Sequence, residues 1–497
     1  MAWWQEAVFY QIYPRSFFDT NGDGVGDING IRRKLDYLEA LGVDALWVSP
    51  IFPSPMRDFG YDVADYCGVD ELFGTLDDLR SLTNEVHARG MRIILDWVPN
   101  HTSSDHPWFQ ESRSGRNSAK RDWYVWRERR ADGQLPNNWI RAWSDESVWT
   151  LDDETDEYFL HCFLESQPDL NWDNVEVREA MKETLRFWLR LGIDGFRMDV
   201  IHLIGKELDV DDDPSLAALS HVPLNDVPRT HDYLREIRSV LNEFDDRVAV
   251  GEVYLFEPTR VATYYGQGDE LHMSFNFASL MTPWRAQSWA ELIEVTEATH
   301  TNAWPTWVLS NHDNQRLASR VGETPARIRA AMLLLLTLRG TPFLYAGEEL
   351  GLPDAVIPAD RVVDPGGRDG CRAPIPWTKG AFGGWPSEPW LPSVVRAAEL
   401  SVESQIAQES SYLVATMELL TLRRRHRALR CGSLESLDVR GDVLYFERVL
   451  DAERLAVVIN FADAPAELGL QNVASVLAAS SDDEVLEPGG YRIFQLN

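Results

Sequence analysis

The chain of 497 residues is too long for one ordinary domain, and it has the composition of a folded globular protein. Hydrophobic residues make up 44% and charged residues 25%, which excludes a disordered or fibrous chain. The formal net charge of −32 predicts no nucleic-acid partner and no binding to anionic lipid.

Neither the N-terminal residues nor the cysteines indicate export. Residues 1–10 show no basic stretch followed by an apolar one, and no run in the chain approaches the roughly 18 apolar residues of a membrane span. The four cysteines are isolated and form no CxxC pair, so they predict neither a zinc site nor a disulfide framework. We therefore expect a cytoplasmic protein without a membrane partner, while monomer and dimer both stay open.

Short apolar runs bounded by Gly, Pro and Asn recur along the chain and predict strands buried on both faces. There are eight, at residues 8–13, 43–50, 91–98, 193–200, 248–254, 273–278, 306–310 and 342–346. Most precede an amphipathic helical stretch, for example residues 31–41, 76–89 and 177–191. Eight strand–helix units predict an α/β fold, a closed (β/α)8 TIM barrel.

The connections between these units are uneven and predict further domains. Residues 102–173 form too long a gap for a plain loop and predict a small inserted domain. The barrel would then comprise residues 1–101 and 174–430, with an acidic lid at 206–227 and a Gly- and Pro-rich insert at 350–394. Residues 431–497 alternate apolar and polar side chains, which predicts a C-terminal antiparallel β-sandwich.

One helix, predicted over residues 417–429, carries the only basic cluster of the sequence. The cluster consists of Arg423, Arg424, Arg425 and Arg427. In a chain this acidic we expect it to be a solvated helical face and not a binding site.

Ionisable side chains stand where the predicted strands end, and in a TIM barrel that rim carries the chemistry. They are Asp96 and His101 after the third strand, Arg197 and Asp199 at the fourth, Glu252 at the fifth, and His312 and Asp313 at the seventh. A single Asp in such a place can simply cap the following helix. Carboxylates, histidines and an arginine converging on one rim favour a catalytic site instead.

The spacing of these residues predicts different pKa values for two carboxyls. Arg197 and Asp199 are two apart on a strand and share one side, so the guanidinium should lower the pKa of Asp199 and keep it ionised. Glu252 has no Arg or Lys beside it in sequence, so nearby Asp199 and Asp313 should raise its pKa. A charged carboxylate about 5 Å from a protonated one is the arrangement for retaining glycoside hydrolysis.

Five motifs resemble the conserved regions of glycoside hydrolase family 13, the α-amylase clan, in its α-glucosidase and oligo-1,6-glucosidase branch. They are DWVPNH, QPDLNWD, GFRMDV, GEVY and SNHDNQ, which occur in the family's order, and the likeness spans nearly the whole chain. The resemblance implies a barrel, an inserted domain after strand three and a C-terminal β-domain. It also implies that Asp199 is the nucleophile, Glu252 the general acid/base and Asp313 the transition-state stabiliser, with retention through a covalent glucosyl-enzyme.

The same resemblance implies a closed substrate pocket. In YDVADY, Tyr61 would be the platform under the terminal sugar and Asp62 would bind its 4- and 6-hydroxyls. In GRDGCRAPIPW, Arg372 would close the pocket from the other side, which predicts exo action; a loop salt bridge is the alternative. The remaining substrate-binding candidates are His101, Phe163, Arg197, Val200 and His312, the two histidines as donors to glucose hydroxyls and the nucleophile carboxylate.

Two departures from the family pattern concern specificity. Residues 373–377 read Ala-Pro-Ile-Pro-Trp where the family has Thr-Pro-Met-Gln-Trp, so leaving-group specificity stays open. Val200 directly follows the nucleophile. In relatives, a valine at this position tends to accompany α-1,6 cleavage and not α-1,4 cleavage.

A loop near the N-terminus has the oxygen ligands of a calcium-type site. Asp19, Asn21, Asp23, the Val25 carbonyl and Asp27 follow that spacing, with Gly24 at the sixth position and no Glu at the twelfth. The resemblance implies a structural Ca²⁺ or Mg²⁺ here, away from the catalytic carboxylates. A Gly-rich turn with Asx hydrogen bonds is the alternative.

The leading hypothesis is thus a retaining exo-α-glucosidase acting on short oligosaccharides, with transglucosylation open. A glucosyl-transferring or isomerising relative, such as a trehalose synthase, sucrose isomerase or sucrose hydrolase, would use the same carboxylates. A non-catalytic barrel scaffold, known among transporter subunits of the family, is disfavoured because this sequence keeps all three carboxylates and shows no membrane span.

Overall fold

The computed structural model describes residues 1–211, 226–467, 473–481 and 485–497. Its centre is a ring of eight parallel strands, one at each of the eight predicted runs. They are β1 (Phe9–Ile12), β2 (Ala45–Val48), β3 (Arg92–Trp97), β7 (Gly195–Met198), β8 (Val248–Gly251), β9 (Met273–Ser274), β10 (Thr306–Val308) and β11 (Thr341–Tyr345). The (β/α)8 barrel predicted from the sequence is confirmed.

The ring is nearly closed. Hydrogen bonding runs in the order β10-β11-β1-β2-β3-β7-β8-β9, which leaves one seam between β9 and β10. The Thr306 side chain bridges this seam: its hydroxyl donates to the Ser274 carbonyl at 2.7 Å and accepts the Asn276 N–H at 3.2 Å. A side chain thus links the two short strands that are not paired through their backbones.

Fifteen α-helices are found in the described residues, and most pack around the barrel. They are α1 (Trp3–Glu6), α2 (Ile28–Arg33), α3 (Leu35–Leu41), α4 (Leu76–Ala88), α5 (Pro107–Arg113), α6 (Val175–Leu191), α7 (Pro228–Leu241), α8 (Pro258–Thr263), α9 (Ala278–Met281), α10 (Ala286–Thr299), α11 (Leu317–Arg320), α12 (Pro325–Thr337), α13 (Val402–Ile406), α14 (Tyr412–Arg425) and α15 (Arg427–Cys431). Helices α4 and α6 confirm two predicted stretches, whereas the predicted helix 31–41 is divided at Lys34. Within the described part of the chain, no helix is long and apolar enough to cross a membrane.

The barrel is buried on both faces, as the apolar strands predict. Phe9 of β1 clusters with Trp47, Val250 and Phe343 of other strands, while Tyr10 and Ile12 of β1 belong to a second cluster. Alternate residues of a strand point to opposite faces, so the first set fills the barrel interior and the second packs under the helices.

The long gap after β3 contains a small antiparallel sheet. It consists of β4 (Trp126–Arg127), β5 (Trp149–Asp152) and β6 (Glu157–Leu160), in the order β4-β6-β5, with α5 beside it. Trp139, Trp149, Tyr158 and Leu160 form a cluster of their own, whereas Trp126 and Phe159 of the same sheet belong to the large cluster that includes barrel residues. The acidic lid predicted at 206–227 falls largely on residues 212–225, which lie outside the described residues.

The C-terminal residues form antiparallel sheets, as predicted. The larger sheet has the order β12-β13-β14-β18-β16 and the smaller one pairs β15 with β17. Their bounds are β12 (Ser433–Arg440), β13 (Val443–Leu450), β14 (Glu453–Asn460), β15 (Ala466–Glu467), β16 (Val473–Ala479), β17 (Val485–Leu486) and β18 (Tyr491–Leu496).

The basic helix differs from its prediction. It is interrupted at His426, and Arg423 is only 1% exposed. The Arg423 guanidinium donates to three backbone carbonyls, those of Leu336, Gly340 and Leu429. The prediction of a solvated face is wrong for Arg423, because unpaired carbonyls near the end of α12 provide buried acceptors.

Candidate active site

A cavity of about 920 Å³ opens at the carboxyl ends of the barrel strands. The three predicted catalytic carboxylates, Asp199, Glu252 and Asp313, all line it, and so do Tyr61, His101, Phe163 and Val200. The inserted segment supplies part of the wall, since Trp143 and Phe163 lie between β4 and α6 in sequence. This is the position at which TIM-barrel chemistry takes place.

Arg197 organises the carboxylates of this cavity. Its Nη1 lies 2.7 Å from Asp96 Oδ1 and 2.6 Å from Asp199 Oδ1, and its Nη2 lies 2.8 Å from Glu252 Oε2. The side chain is 1% exposed, so these charge-assisted bonds are shielded from water. Asp199 and Glu252 are therefore held by the two ends of one guanidinium.

Glu252 has a basic neighbour in space, although no Arg or Lys stands beside it in sequence. Strands β7 and β8 are parallel, with Arg197 opposite Val250, so Glu252 stands beside Asp199 on the same face of the adjacent strand. The register, which links residues more than fifty positions apart, places Arg197 between them. Local sequence around Glu252 does not contain this information.

The predicted pKa direction of Asp199 is wrong. Burial raises the pKa of Asp199 well above its ordinary value, and the charges of Glu252 and Asp96 add to this effect against the lowering by Arg197. Burial likewise raises the pKa of Asp96 to about 6. The single guanidinium of Arg197 thus does not offset burial and the mutual repulsion of these carboxyls.

Asp313 lies in a different electrostatic environment. Its Oδ1 is 2.9 Å from Arg368 Nη1 and 3.0 Å from Arg372 Nη2, and its Oδ2 is 3.1 Å from His312 Nε2. Although burial acts in the opposite direction, His312 and the two guanidinium groups hold the pKa of Asp313 well below its usual range. Asp313 is thus the carboxylate that stays ionised.

The structure places His312 behind the cavity wall and not on it. Its ring stacks on Tyr61 at 5.4 Å and its Nε2 is 2.6 Å from Tyr61 Oη, while Nδ1 is 2.7 Å from the Gln11 amide nitrogen. Burial lowers the pKa of His312 to about 3, so the ring is neutral. With Gln11 donating to Nδ1, the ring proton is on Nε2, and His312 orients Tyr61 and Asp313.

The predicted closing pair, Asp62 and Arg372, is not formed. The Asp62 carboxylate is fully buried and accepts the N–H groups of Arg57 and Asp58 and the Ser54 hydroxyl. Arg372 binds Asp313 and Asp364 instead, and neither Asp62 nor Arg372 lines the cavity. Asp62 therefore fixes the shape of its own loop.

A neighbouring pair takes that place. Asp58 and Arg368 both line the cavity, and Arg368 Nη2 is 2.7 Å from Asp58 Oδ1. Arg368 also binds Asp313 and Asp364, and the Gln167 amide nitrogen is 3.0 Å from Asp58 Oδ2. Asp58, Gln167 and Arg368 were not predicted as site residues, although all three lie inside or next to the family-like motifs.

The other predicted wall residues have well-defined contacts. His101 Nε2 is 3.1 Å from the Gln167 amide nitrogen, and its ring lies 5.1 Å from Phe163. Val200 adopts a left-handed backbone conformation, with φ 35° and ψ 40°, which is rare for a β-branched residue. In this conformation its N–H donates to Glu252 Oε2 at 2.9 Å, so the strained peptide positions the acid/base candidate.

The candidate cation loop is folded by its own side chains. Asp19, Asn21 and Asp23 accept N–H groups of the residues that follow them, and Asp27 caps α2 through the Gly30 N–H. The donor set is all oxygen and fits a hard cation by type. Across the described residues, however, no three His, Cys, Asp or Glu side chains are close enough to hold a metal ion, so the cation stays a prediction.

Comparison with known proteins assigns this site to a family. The model of the α-amylase catalytic domain matches residues 11–432. The chain belongs to the α-amylase family, glycoside hydrolase family 13. This glycoside hydrolase is 38% identical to a probable α-glucosidase of Rhizobium meliloti (strain 1021), over 98% of the chain and 94% of that protein. It is 36% identical to the oligo-1,6-glucosidase of Parageobacillus thermoglucosidasius, over 93% of the chain and 91% of the relative.

Solved structures of the family superimpose on the whole chain. An α-glucosyl transfer enzyme, XgtA, matches with a TM-score of 0.95 and 38% identity, covering 100% of both chains. The isomaltulose synthase of Klebsiella sp. LX3 matches with a TM-score of 0.95 and 32% identity, again over 100% of both chains. A glucosyl-transferring enzyme and an isomaltulose synthase thus share this barrel.

Proposed function

We propose that this family 13 enzyme is a retaining exo-α-glucosidase that releases the terminal non-reducing glucose of short α-linked oligosaccharides. The observation that carries the proposal is the pair of carboxylates, Asp199 and Glu252, held by the two ends of Arg197. Two neighbouring carboxyls, one acting as nucleophile and the other as acid/base, are what retaining glycoside hydrolysis requires.

In the first half of the reaction, Asp199 attacks C1 of the bound glucose while Glu252 gives its proton to the leaving oxygen. Glu252 is suited to this role by its position beside Asp199 on the adjacent strand. The Val200 N–H then stabilises the Glu252 carboxylate that remains. In the second half, Glu252 takes a proton from water, whose oxygen forms the bond to C1 and displaces Asp199.

Asp313 would stabilise the transition state electrostatically. Because its pKa is held low, it carries a full negative charge opposite the oxocarbenium-like sugar. Arg368 and Arg372 fix its carboxylate in the ground state, so little reorganisation is needed during the reaction. Tyr61 would lie under the ring, held in place by His312.

The Asp58–Arg368 pair supports exo action. A buried ion pair that lines the cavity would obstruct a second sugar on the non-reducing side. Its polar groups suit the outer hydroxyls of one glucose. The relatives are named for α-glucosidase and oligo-1,6-glucosidase activities. For the linkage, Val200 favours α-1,6 over α-1,4, as in the sequence-based prediction.

Product analysis on maltose, isomaltose, sucrose and trehalose tests this function. We expect glucose to be released with the α-anomer formed first, followed by NMR before mutarotation. Asp199→Ala should lower kcat by at least about a thousandfold, and sugar release that survived it would refute the assignment.

A glucosyl-transferring or isomerising enzyme is the second candidate. The favouring observation is the match, at TM-scores of 0.95, to XgtA and to isomaltulose synthase. Such an enzyme would use the same carboxylates but pass glucose to a sugar acceptor instead of water. Isomerised disaccharide as the main product from sucrose would favour it.

A further inference from the structure

Asp364 is a buried carboxylate that lies behind the wall of the catalytic cavity and does not line it. It contacts both arginines that bind Asp313. Its Oδ1 is 2.7 Å from Arg368 Nη2 and 3.3 Å from Arg372 Nη1. A carboxylate is buried at a cost unless it is paired, and here both partners belong to the site.

The pairing of Asp364 with Arg368 is bidentate. Arg368 Nε is 2.9 Å from Asp364 Oδ2, and Arg368 Nη2 is 2.7 Å from Asp364 Oδ1. Two such bonds between a planar guanidinium and a planar carboxylate fix the plane of the guanidinium. In that plane Arg368 Nη1 points to Asp313 Oδ1 at 2.9 Å, and Nη2 also reaches Asp58 Oδ1 at 2.7 Å.

Arg368 and Arg372 are like charges that share one acceptor. Nitrogens of both guanidinium groups lie within 3.0 Å of Asp313 Oδ1, so the two groups repel each other. Asp364 stands beside both and offsets this repulsion. Although burial acts in the opposite direction, the hydrogen bond from Arg368 and the charges of both arginines hold the pKa of Asp364 below its ordinary value.

A purely structural role in the local turn is the alternative for Asp364. Its Oδ2 accepts the Arg368 N–H at 2.7 Å, and its carbonyl accepts the Gly367 N–H at 3.1 Å. Aspartates often close turns in this way. However, the turn uses only one carboxylate oxygen, whereas Oδ1 faces the two guanidinium groups.

We propose that Asp364 is a positioning residue of the reaction, which aims Arg368 and Arg372. Through these arginines it orients Asp313, the carboxylate that stabilises the transition state, and it fixes Arg368 against Asp58. Asp364 itself touches neither the sugar nor the reacting atoms. This inference rests on the proposed function, because the roles of Asp313 and Asp58 belong to it.

Asp364→Asn tests this role, because the amide keeps one oxygen for the turn but places an NH2 group where Oδ1 faces two donors. We expect kcat on isomaltose or maltose to fall by about 10- to 100-fold and KM to rise by roughly threefold, since charged hydrogen bonds are lost. The matched control is Asp369→Asn in the same loop. Asp369 Oδ2 accepts the backbone N–H groups of Val363 and Asp364, and we expect its variant to change kcat by less than about twofold.

A double-mutant cycle shows whether Asp364 acts through Arg368. Arg368→Lys keeps the charge but removes the planar fork. If Asp364 works by holding that fork, the loss in kcat caused by Asp364→Asn should become at least about threefold smaller in the Arg368→Lys background. Fully additive losses would show that the two residues act independently and would overturn the proposal.

Binding of a basic iminosugar, 1-deoxynojirimycin, separates positioning from folding. Its ring ammonium stands in for the positive charge of the transition state, so it depends on an aligned Asp313 carboxylate more than glucose does. Calorimetry should therefore show a larger loss of affinity for the iminosugar than for glucose in Asp364→Asn. Equal losses, or a lowered melting temperature with unchanged kcat, would leave only the turn and would overturn the proposal.

A second variant covers the case in which Asp364→Asn does not fold. Asp364→Ser keeps a hydroxyl oxygen for the turn, removes the bidentate carboxylate and should show the same kinetic losses. If neither variant folds, Asp364 is a folding residue and the proposal is overturned. A wild-type enzyme that hydrolysed no α-glucoside would refute the proposed function, whereas unchanged kinetics of the variants would refute the positioning role alone.

Discussion

At the scale of single residues, the site depends on which of two aspartates in one loop points inward. Asp58 and Asp62 are four residues apart and both buried, yet only Asp58 lines the cavity. The carboxylate of Asp62 instead accepts hydrogen bonds from backbone N–H groups of the same loop. The two residues therefore carry different roles, binding and loop structure.

Asparagine variants separate these roles. Asp58→Asn removes the charge that pairs with Arg368, and we expect kcat/KM on maltose or isomaltose to fall by about 10- to 100-fold, the cost of a charged hydrogen bond. Asp62→Asn should lower the melting temperature while changing kcat/KM much less. Steady-state kinetics and calorimetry on both proteins check this, and a larger kinetic effect of Asp62→Asn would contradict it.

At the scale of elements, a charged histidine links α7 to two neighbouring segments of the same polypeptide. His231 Nδ1 is 2.7 Å from Glu270 Oε2, and its Nε2 is 3.7 Å from Asp226 Oδ1. Hydrogen bonds to Asp226 and Glu270 raise the pKa of His231 to about 9, and Arg260 and Arg235 bind the same two carboxylates. The start of α7 is thus held by a group that loses its charge in alkaline solution.

This anchor predicts a pH-dependent contribution to stability. The pKa of His231 is higher in the folded state than the ordinary value of about 6.5, so its stabilisation is complete below about pH 6.5 and is lost as the pH rises through about 9. His231→Gln should therefore lower the melting temperature at pH 6 more than at pH 10. Melting curves of both proteins over this range check it; a difference that is constant with pH would contradict it.

The loop at residues 19–27 is a second element with a stability prediction. If a structural cation binds there, as the resemblance implies, chelation should lower the melting temperature because the ligand stabilises only the folded state. Calorimetry after EDTA treatment, with metal analysis of the untreated protein, provides the measurement. Unchanged melting together with absence of bound metal would leave the Asx-turn network as the full account of this loop.

At the scale of the whole molecule, the formal net charge of −32 opposes compactness. Like charges on one surface repel, and salt screens them over about 10 Å at 0.1 M. We expect the melting temperature to rise between about 0.01 M and 0.5 M NaCl. The measurement is calorimetry in a salt series, and a falling melting temperature would show that attractive ion pairs outweigh the net repulsion.

The barrel, the sheets after it and the three carboxylates at the rim are all predictable from the amino-acid sequence. Apolar strands buried on both faces produce a local pattern, and parallel strands bring their ends to one edge. For this reason the sequence predicts that Asp199, Glu252 and Asp313 lie together, and all three line the cavity.

The partners of these carboxylates and the side chains that close the pocket depend on long-range packing instead. Arg197 reaches Glu252 through strand register, and Arg368 joins Asp58 across 310 positions of sequence. Loop side chains turn toward whichever distant groups satisfy them, and proton positions follow the sum of all nearby charges. Neither depends on local pattern. The sequence therefore predicts Asp62 and Arg372 as the closing pair, whereas the structure has Asp58 and Arg368 there and His312 behind Tyr61.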